Sequence, residues 1–345
     1  MGSADVLDVI GHDRDLVVLG ASAGGVEALK RVVAGLPPDL PAAVCIVLHI
    51  APDSPSALAK ILQRAGPLPC RPAGDGEVLR AGEILVAPPD RHLVIENGSV
   101  RLTVGPRENG HRPAVDVLFR SAAAARHSRV VGVVLSGNRD DGSAGLAAIK
   151  AGGGVALVQD PAEALYAGMP TNALEHVSVD AVVPSDKMAE TISALVKGHG
   201  PPGNPPPAQP GWDPKRTDRL TSVCPECGGV LAERDEAGMP QWECHVGNRY
   251  SPTSLADAQA DRVEMALWTA VRMLRDRSAL LHRMADQSEE RDQPRSAQRF
   301  RRQADDASAQ ADLVREALAH AAEGTLRAVP AGEDEETVAA GGSAE

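Results

Sequence analysis

Residues 15–25 read Asp15-Leu16-Val17-Val18-Leu19-Gly20-Ala21-Ser22-Ala23-Gly24-Gly25. The apolar run predicts a short buried β-strand ending at glycine, and a helical pattern follows at residues 26–34. Small residues on both sides of Ser22 allow a sharp turn, which would expose its hydroxyl as in a nucleophile elbow. The segment therefore indicates a strand–turn–helix unit with a candidate nucleophile at its turn.

The same strand-then-helix pattern repeats through the first half of the chain. Continuous Val/Ile/Leu runs lie at residues 43–48, 83–87, 129–135, 153–158 and 181–184, and helical segments lie at 54–64, 115–125 and 143–151. Runs without alternation are typical of strands covered on both faces, as in parallel sheets. We therefore predict a doubly wound, mostly parallel, Rossmann-like three-layer α/β fold. A hairpin is predicted within residues 91–110, with its turn at Glu96-Asn97-Gly98.

Composition narrows the classes of function and location. Hydrophobic residues make up 43% of the 345 residues but aromatic ones only 2%, so the core must consist of Ala, Val, Leu and Ile. A formal net charge of −12 gives no general attraction to nucleic acid or to anionic membranes. No run approaches a membrane-spanning length, no signal peptide is visible, and an odd number of cysteines, five, favours a reducing compartment. We expect a cytoplasmic protein without nucleic-acid partners or membrane insertion.

The chain divides by composition into five segments. The α/β pattern covers residues 14–196, and a Gly/Pro-rich linker is predicted at 197–216. A small Cys-containing module follows at 217–254, then a helical hairpin at 255–325 that Pro294 interrupts, and a disordered tail at 326–345. The second helix of the hairpin has apolar residues at alternating three and four spacing, namely Ala297, Phe300, Ala304, Ala307, Ala311, Val314 and Leu318.

Three predicted strand ends carry side chains that could form a catalytic triad. Ser22 follows the first strand, His49 the second, and Asp140-Asp141 a later one. A serine hydroxyl needs an imidazole to take its proton, and the imidazole needs a carboxylate to fix its tautomer. Each residue also has a simpler interpretation. The turn at Ser22 could bind a phosphate, His49 could be a structural histidine, and Asp140-Asp141-Gly142 could cap a helix. The Gly20-x-x-x-Gly24-Gly25 spacing lacks the full dinucleotide fingerprint, which disfavours a nucleotide cofactor.

These segments resemble the chemotaxis protein-glutamate methylesterases. The similarity runs in order over residues 14–196, in stretches that include Leu19-Gly20-Ala21-Ser22-Ala23-Gly24-Gly25, Val47-Leu48-His49-Ile50, Ala87-Pro88-Pro89-Asp90, His111-Arg112-Pro113-Ala114-Val115-Asp116, residues 133–146, Gln159-Asp160-Pro161 and Ala167-Gly168-Met169-Pro170. The resemblance implies Ser22 as nucleophile, His49 as general base and acid, and Asp141 as orienting carboxylate. Asp141 is preferred over Asp140 because it directly precedes Gly142, as in the family pattern.

The resemblance also implies a substrate and further site residues. Methyl esters of glutamate on methyl-accepting chemoreceptor-like proteins would be hydrolysed, and glutamines deamidated, without a catalytic cofactor; a methyltransferase would be a further partner. The position that contributes to the oxyanion hole corresponds to Asn138. Ala23 follows the nucleophile, where the family commonly has Thr. His111 and Arg112 would either border the cleft or only pack a loop. An esterase for another protein or small ester, and a non-catalytic signalling scaffold, are the alternative functions. Only about 13 residues precede the first strand, so the receiver domain common in the family, and with it phosphorylation in cis, is expected to be absent.

The cysteines of the C-terminal module resemble half of a zinc ribbon. Cys224 and Cys227 have the Cys-x2-Cys spacing that holds one side of a tetrahedral zinc, and Cys244 follows. Related methylesterases often have a His four residues after the third Cys, but here that position is Asn248, and His245 would have to substitute. The interpretations left open are a structural zinc and a ribbon-like knuckle without metal.

Overall fold

The structure, a computed structural model, describes residues 14–52, 57–200 and 222–327. Most of the predicted linker and tail therefore lie outside the described residues. The strands of the described part are β1 (Leu16–Ala21), β2 (Ala43–Leu48), β3 (Cys70–Pro72), β4 (Glu77–Val78), β5 (Ile84–Val86), β6 (His92–Glu96), β7 (Ser99–Thr103), β8 (Val130–Val134), β9 (Val155–Gln159), β10 (Ala181–Val183), β11 (Leu231–Glu236), β12 (Met239–Cys244) and β13 (Arg249–Tyr250). The helices are α1 (Gly25–Gly35), α2 (Leu58–Ala65), α3 (Val115–Arg126), α4 (Ser143–Ala151), α5 (Gly168–His176), α6 (Ser185–Val196), α7 (Pro252–Glu290) and α8 (Pro294–Arg327).

A seven-stranded sheet forms the centre of the α/β region. Its strand order is β10-β9-β8-β1-β2-β5-β3, and every neighbouring pair is parallel. β1 and β2 pair from Leu16↔Ala43 to Ala21↔Leu48, so the two strands end together at one edge. The predicted doubly wound α/β fold is confirmed.

Both faces of this sheet are covered, which explains the continuous apolar runs. Successive strand residues point to opposite faces, so Val17 and Leu19 enter one apolar cluster while Leu16 and Val18 enter the other. α1, α2 and α6 supply the first cluster, whereas α3, α4 and α5 supply the second. Branched aliphatic side chains fill both layers, as the low aromatic content predicts.

The predicted hairpin is confirmed as β6 and β7. These strands pair antiparallel from His92↔Thr103 to Glu96↔Ser99, and β4 adds a third strand. Asn97 and Gly98 both have positive φ, of 49° and 78°, as a two-residue type I′ turn requires. The segment from residue 104 to 114 then leads to the start of α3.

The Cys-containing region folds with the α/β region in one compact unit that ends at Ala258. β11, β12 and β13 form an antiparallel sheet, and α7 begins directly after it. A small core is shared by Cys224, Leu231, Trp242, Cys244, Tyr250 and Leu255. We refer to residues 222–258 as the C-terminal module.

The second unit, from Gln259 onward, contains the rest of α7 and α8. Arg301 of α8 pairs with Glu289 near the end of α7, and His282 lies 4.0 Å from Asp305, so the two helices run antiparallel. The predicted seam residues Ala297, Ala304, Ala307, Ala311 and Leu318 are buried, whereas Phe300 and Val314 are partly exposed. Among the described helices, none is long and apolar enough to cross a membrane.

Candidate active site

Three adjacent strands deliver the predicted triad to one edge of the sheet. β8, β1 and β2 are neighbours in the sheet. Ser22 follows β1, His49 follows β2, and Asp141 follows β8. The main-chain pairing continues past the strands, because Ser22 N donates to Ser136 O at 2.9 Å and His49 N donates to Ala21 O at 3.1 Å. The turns that follow the strands are thereby held side by side.

Glycine is required at the turn that carries Ser22. Gly24 has a φ of 71°, and a Cβ there would lie 2.7 Å from Ser136 Oγ. A Cβ at Gly25 would lie 2.5 Å from Ala21 Cβ and 2.9 Å from Leu48 Cδ1. Because only glycine fits, the chain can reverse within these residues and start α1 at once, which leaves Ser22 partly exposed at the edge of the sheet.

His49 and Asp141 form a short hydrogen bond in a nearly solvent-free position. His49 Nε2 lies 2.6 Å from Asp141 Oδ2, and the two side chains are 5% and 1% exposed. Since Asp141 Oδ2 is an acceptor, Nε2 carries the proton and Nδ1 is left as the basic nitrogen. His49 Nδ1 is buried and has no hydrogen-bond partner within the described part of the chain.

Asp141 is also held by the start of α3. Its Oδ2 accepts a hydrogen bond from Val115 N at 2.7 Å, and its Oδ1 accepts one from Asp116 N at 3.2 Å. Burial would raise the pKa of Asp141, but the hydrogen bond from His49 and the amide of Val115 hold it well below the usual range. The helix N-terminus therefore orients this carboxylate, and His49 contributes most to keeping it ionised.

Ser22 and His49 line the same open cavity of about 440 Å³. Of the predicted substrate residues, Ala23, His111 and Arg112 line it, whereas Asn138 is exposed and is not part of the lining. Among the described residues, the lining consists of Ser22, Ala23, His49, Ile50, Ala51, Pro52, Arg107, Gly110, His111 and Arg112. Acyl transfer through a serine requires a reactive hydroxyl, a histidine that is oriented by a carboxylate, and an accessible cavity.

The CheB methylesterase family model matches residues 17–192, about half of the chain. The chain belongs to the CheB methylesterase family. The crystal structure of the Thermotoga maritima CheB methylesterase catalytic domain is 33% identical, with a TM-score of 0.51, and the match covers 52% of this chain and 98% of that domain.

Individual relatives extend this finding. The protein-glutamate methylesterase/protein-glutamine glutaminase 2 of Anaeromyxobacter dehalogenans is 43% identical over 183 residues, which are 53% of this chain and 54% of that protein. The chain thus spans about half the length of that relative. A putative protein-glutamate methylesterase/protein-glutamine glutaminase of Leptospira interrogans is 38% identical over 182 residues, which are 52% of this chain and 94% of its own length. The range matched by the family model, residues 17–192, lies in the α/β region, which we call the CheB-like region.

Two buried polar residues of this CheB-like region were not predicted from the sequence. Asp116 Oδ1 accepts hydrogen bonds from Gly142 N at 3.0 Å and from Gly145 N at 2.6 Å, so Asp116 of α3 caps the start of α4. Asn109 Nδ2 donates to Asp116 Oδ2 at 3.0 Å and to Asp141 Oδ1 at 2.9 Å. Burial, together with the nearby negative charge of Asp141, raises the pKa of Asp116. These contacts hold the starts of α3 and α4 around the carboxylate of Asp141.

Outside the CheB-like region, the three predicted thiols of the C-terminal module converge. The sulfur atoms of Cys224, Cys227 and Cys244 all lie within 4.8 Å of one another, as tetrahedral zinc ligation requires. His245 packs against Gly229, where a Cβ would lie 2.2 Å from His245 Nδ1, but neither ring nitrogen belongs to the thiol cluster. Asn248, the position at which the family resemblance leads one to expect a His, donates from Nδ2 to Cys224 Sγ at 3.6 Å. The donor set within the described residues is thus three thiols, with an amide donor behind one of them.

Proposed function

We propose that this chain is a serine hydrolase that removes methyl esters from glutamate side chains of chemoreceptor-type proteins. The observation that carries the proposal is the 2.6 Å hydrogen bond between His49 Nε2 and Asp141 Oδ2, at the wall of the cavity that Ser22 also lines. Membership of the CheB methylesterase family and the names of the relatives support the same chemistry. Deamidation of glutamine side chains follows by the same route.

The proposed reaction is acyl transfer through an ester of Ser22. The Ser22 hydroxyl gives its proton to His49 Nδ1 as its oxygen attacks the glutamyl ester carbonyl, and Asp141 stabilises the charged imidazole. Main-chain amides at the turns around Ala23 and Asn138 would hold the resulting oxyanion. His49 then returns the proton to the departing methoxide, which leaves as methanol. Water, deprotonated by His49, hydrolyses the Ser22 ester and regenerates the hydroxyl; with glutamine, ammonia leaves in place of methanol.

The test is methanol release from a methylated chemoreceptor fragment. We expect Ser22→Ala to abolish release, whereas Ser128→Ala, a change at an exposed serine, leaves it intact. Release that persists in Ser22→Ala would overturn the proposal. A parallel screen of small esters separates a receptor enzyme from an esterase of other specificity, since receptor turnover should dominate. Failure of Ser22 to react with a fluorophosphonate would instead favour a non-catalytic scaffold.

The proposed chemistry implies a partner enzyme that forms the substrate. An enzyme that removes glutamyl methyl esters acts repeatedly only if another enzyme forms them, so a protein methyltransferase is the partner we propose. Reconstitution of receptor, methyltransferase, its methyl donor and this chain should give cycles of methanol release that stop when the methyltransferase is omitted. Sustained release without it would contradict the pairing.

We further propose a structural zinc ion held by Cys224, Cys227 and Cys244. Their mutual spacing fits the group, and Cys227 Sγ lies 3.6 Å from Cys244 Sγ, close to the edge of a ZnS tetrahedron. When bound, zinc would stabilise the fold of the C-terminal module and take no part in ester hydrolysis. The purified chain should contain about one zinc per chain, and Cys244→Ser should lose it while Cys70→Ser, a change remote from the cluster, keeps it. A chain that stays metal-free after dialysis against zinc would overturn this assignment.

A further inference from the structure

We propose that the C-terminal module is a positioning element for the catalytic carboxylate, and that Asn109 connects the two. The inference rests on the proposed function, because it concerns the same triad. It assigns the module a role in catalysis besides holding its own thiols, and it makes Asn109 a positioning residue that acts through Asp141.

The side chain of Asn109 bridges the module and the triad. The residue is 2% exposed, and Ser251 N of the module donates to its Oδ1 at 2.9 Å. Its Nδ2 then faces the other way and donates to Asp141 Oδ1 at 2.9 Å. Because the amide has one acceptor end and one donor end, the bond from Ser251 fixes which end faces Asp141.

The main chain around Asn109 is paired with the same module. Asn109 N donates to Arg249 O at 2.8 Å, and Arg249 N donates to Arg107 O at 3.1 Å. Arg107 N in turn donates to Asn248 Oδ1 at 3.2 Å. The module therefore adds a strand-like partner to the segment that continues to His111 in the cavity wall.

A second contact reaches the residue next to Asp141. Ser254 Oγ, in the first turn of α7, donates to Asp140 Oδ1 at 2.5 Å, and both side chains are buried. Arg139 Nε lies 3.2 Å from Asp257 Oδ2 in the same region. The module thus holds Asp141 from two directions, through the amide of Asn109 and through the preceding residue.

The polarity of these contacts is what indicates a role beyond packing. A buried polar group that loses its partner is costly, so a displaced module would leave the Asn109 carbonyl and the Asp140 carboxylate unsatisfied. Rotation of the amide to recover a bond would turn its donor away from Asp141. The expected consequence is a less well oriented His49, because Asp141 fixes that ring.

The experiment uses the full chain and changes first the module side of these contacts and then Asn109 itself. Ser251→Pro removes the N–H that bonds Asn109, and Ser254→Ala removes the hydroxyl that bonds Asp140; Glu233→Gln, at an exposed site of β11, is the matched control. Three quantities are measured: the rate constant for fluorophosphonate labelling of Ser22, kcat and KM for the methylated receptor, and the downfield proton resonance of the His49–Asp141 hydrogen bond. Circular dichroism and urea unfolding show whether each variant is folded.

We expect the labelling rate and kcat to fall about tenfold or more in Ser251→Pro and several-fold in Ser254→Ala, with KM little changed. The downfield resonance should shift or broaden in both, and Glu233→Gln should match the unsubstituted chain. Asn109→Asp, which keeps the acceptor for Ser251 but loses the donor to Asp141, should lower the labelling rate while the module stays folded.

Unchanged labelling and an unchanged resonance in folded Ser254→Ala and Asn109→Asp would overturn the inference. Ser254→Ala serves this purpose even if Ser251→Pro fails to fold. Labelling needs no receptor, so a failure of the coupling is distinguishable from a failure of the proposed function. If the unsubstituted chain labels but does not demethylate receptor, the proposed substrate is wrong while the coupling is still measured. If the unsubstituted chain does not label, both proposals are lost.

Discussion

The imidazole rings of His49 and His111 stack with their centroids 3.7 Å apart and an angle of 10° between their planes. Two positively charged rings could not share this position, and burial, together with His49, lowers the pKa of His111 to about 3. His111 is therefore neutral at physiological pH. His111 thus offers a flat, uncharged face that packs against the ring of His49.

The first prediction concerns this face. His111→Phe preserves a flat ring without a proton to gain, so we expect kcat to stay within about threefold of the unsubstituted value. His111→Ala removes the support, and we expect kcat to fall about tenfold because His49 can then tilt. Steady-state hydrolysis of a methylated receptor measures both. An alanine variant as active as the phenylalanine one would show that the stack does not restrain His49.

The second prediction follows from the lowered pKa of His111. The unfolded chain protonates this histidine near pH 6.5, but the folded chain protonates it only near pH 3. The unfolded state therefore binds more protons between these values, and the free energy of unfolding decreases as the pH falls through that window. When the pH is lowered from 7 to 4.5, the His111→Phe chain should lose less stability than the unsubstituted chain. The His176→Phe chain, changed at an exposed site, should lose as much as the unsubstituted chain. Urea unfolding at the two pH values provides the comparison, and equal losses in all three chains would contradict the buried neutral state.

Much of the fold was predictable because strand and helix periods are local properties. The continuous apolar runs of β1, β2 and β8 report burial on both faces, and that observation alone indicates a parallel sheet. The short strands β3 and β4 were not predicted, since three or two residues carry no period. The limits of α1, α3 and α4 agree closely with the predicted ones, whereas α5 and α6 were not predicted.

The sequence predicted Ser22, His49 and Asp141 as a triad, but it did not predict the groups that hold these residues. Ser22, His49 and Asp141 are named by strand ends and by the family resemblance, and the structure places His49 against Asp141. Asn109 and Ser251 are 142 residues apart, and nothing in either segment indicates that they meet. The one signal in the sequence at Asn109 is the Asn-Gly pair that it forms with Gly110. This pair agrees with the positive φ of 52° at Asn109, but it predicts only a turn.

The third prediction tests the triad carboxylate. Asp141→Asn removes the charge that stabilises the imidazolium and offers an amide N–H to a ring nitrogen that already carries a proton. We expect the rate of fluorophosphonate labelling to fall by about 10³ to 10⁴, the magnitude seen when a triad aspartate is replaced. Asp186→Asn, at an exposed residue of α6, is the control and should label normally. A loss smaller than about tenfold would show that another group orients His49.

The fourth prediction concerns stability. Asp116→Ala leaves the amides of Gly142 and Gly145 without their acceptor in a buried site, and Asn109 Nδ2 loses one of its two acceptors while it keeps Asp141 Oδ1. Each unsatisfied donor costs about 1–3 kcal/mol, and some relaxation is expected, so the free energy of unfolding should fall by about 3 kcal/mol. Urea unfolding followed by circular dichroism measures this. Asp235→Ala, at an exposed position near the end of β11, should change it by less than about 1 kcal/mol. A comparable loss in both variants would mean that the helix cap contributes little.

The last prediction concerns the close approach of two main-chain turns beside the nucleophile. A Cβ at Gly137 would lie 2.1 Å from Met169 Sδ and 2.9 Å from Ser22 Cβ. The chain cannot easily withdraw there, because Gly137 N donates to Tyr166 O at 3.0 Å and Gly137 O accepts from Met169 N at 2.8 Å. The thioether can rotate away, so the remaining strain falls on the turn of Ser22.

We therefore expect Gly137→Ala to lower the rate of Ser22 labelling by about tenfold or more, while the free energy of unfolding falls by only about 1–3 kcal/mol. Gly105→Ala is the matched control, since its Cβ would meet nothing nearer than His92 Cδ2 at 3.7 Å, an ordinary contact. Both variants are compared by labelling kinetics and by urea unfolding. Labelling at the unsubstituted rate in a folded Gly137→Ala chain would show that the turn of Ser22 tolerates displacement, and that the close contact with Gly137 is not what places the hydroxyl.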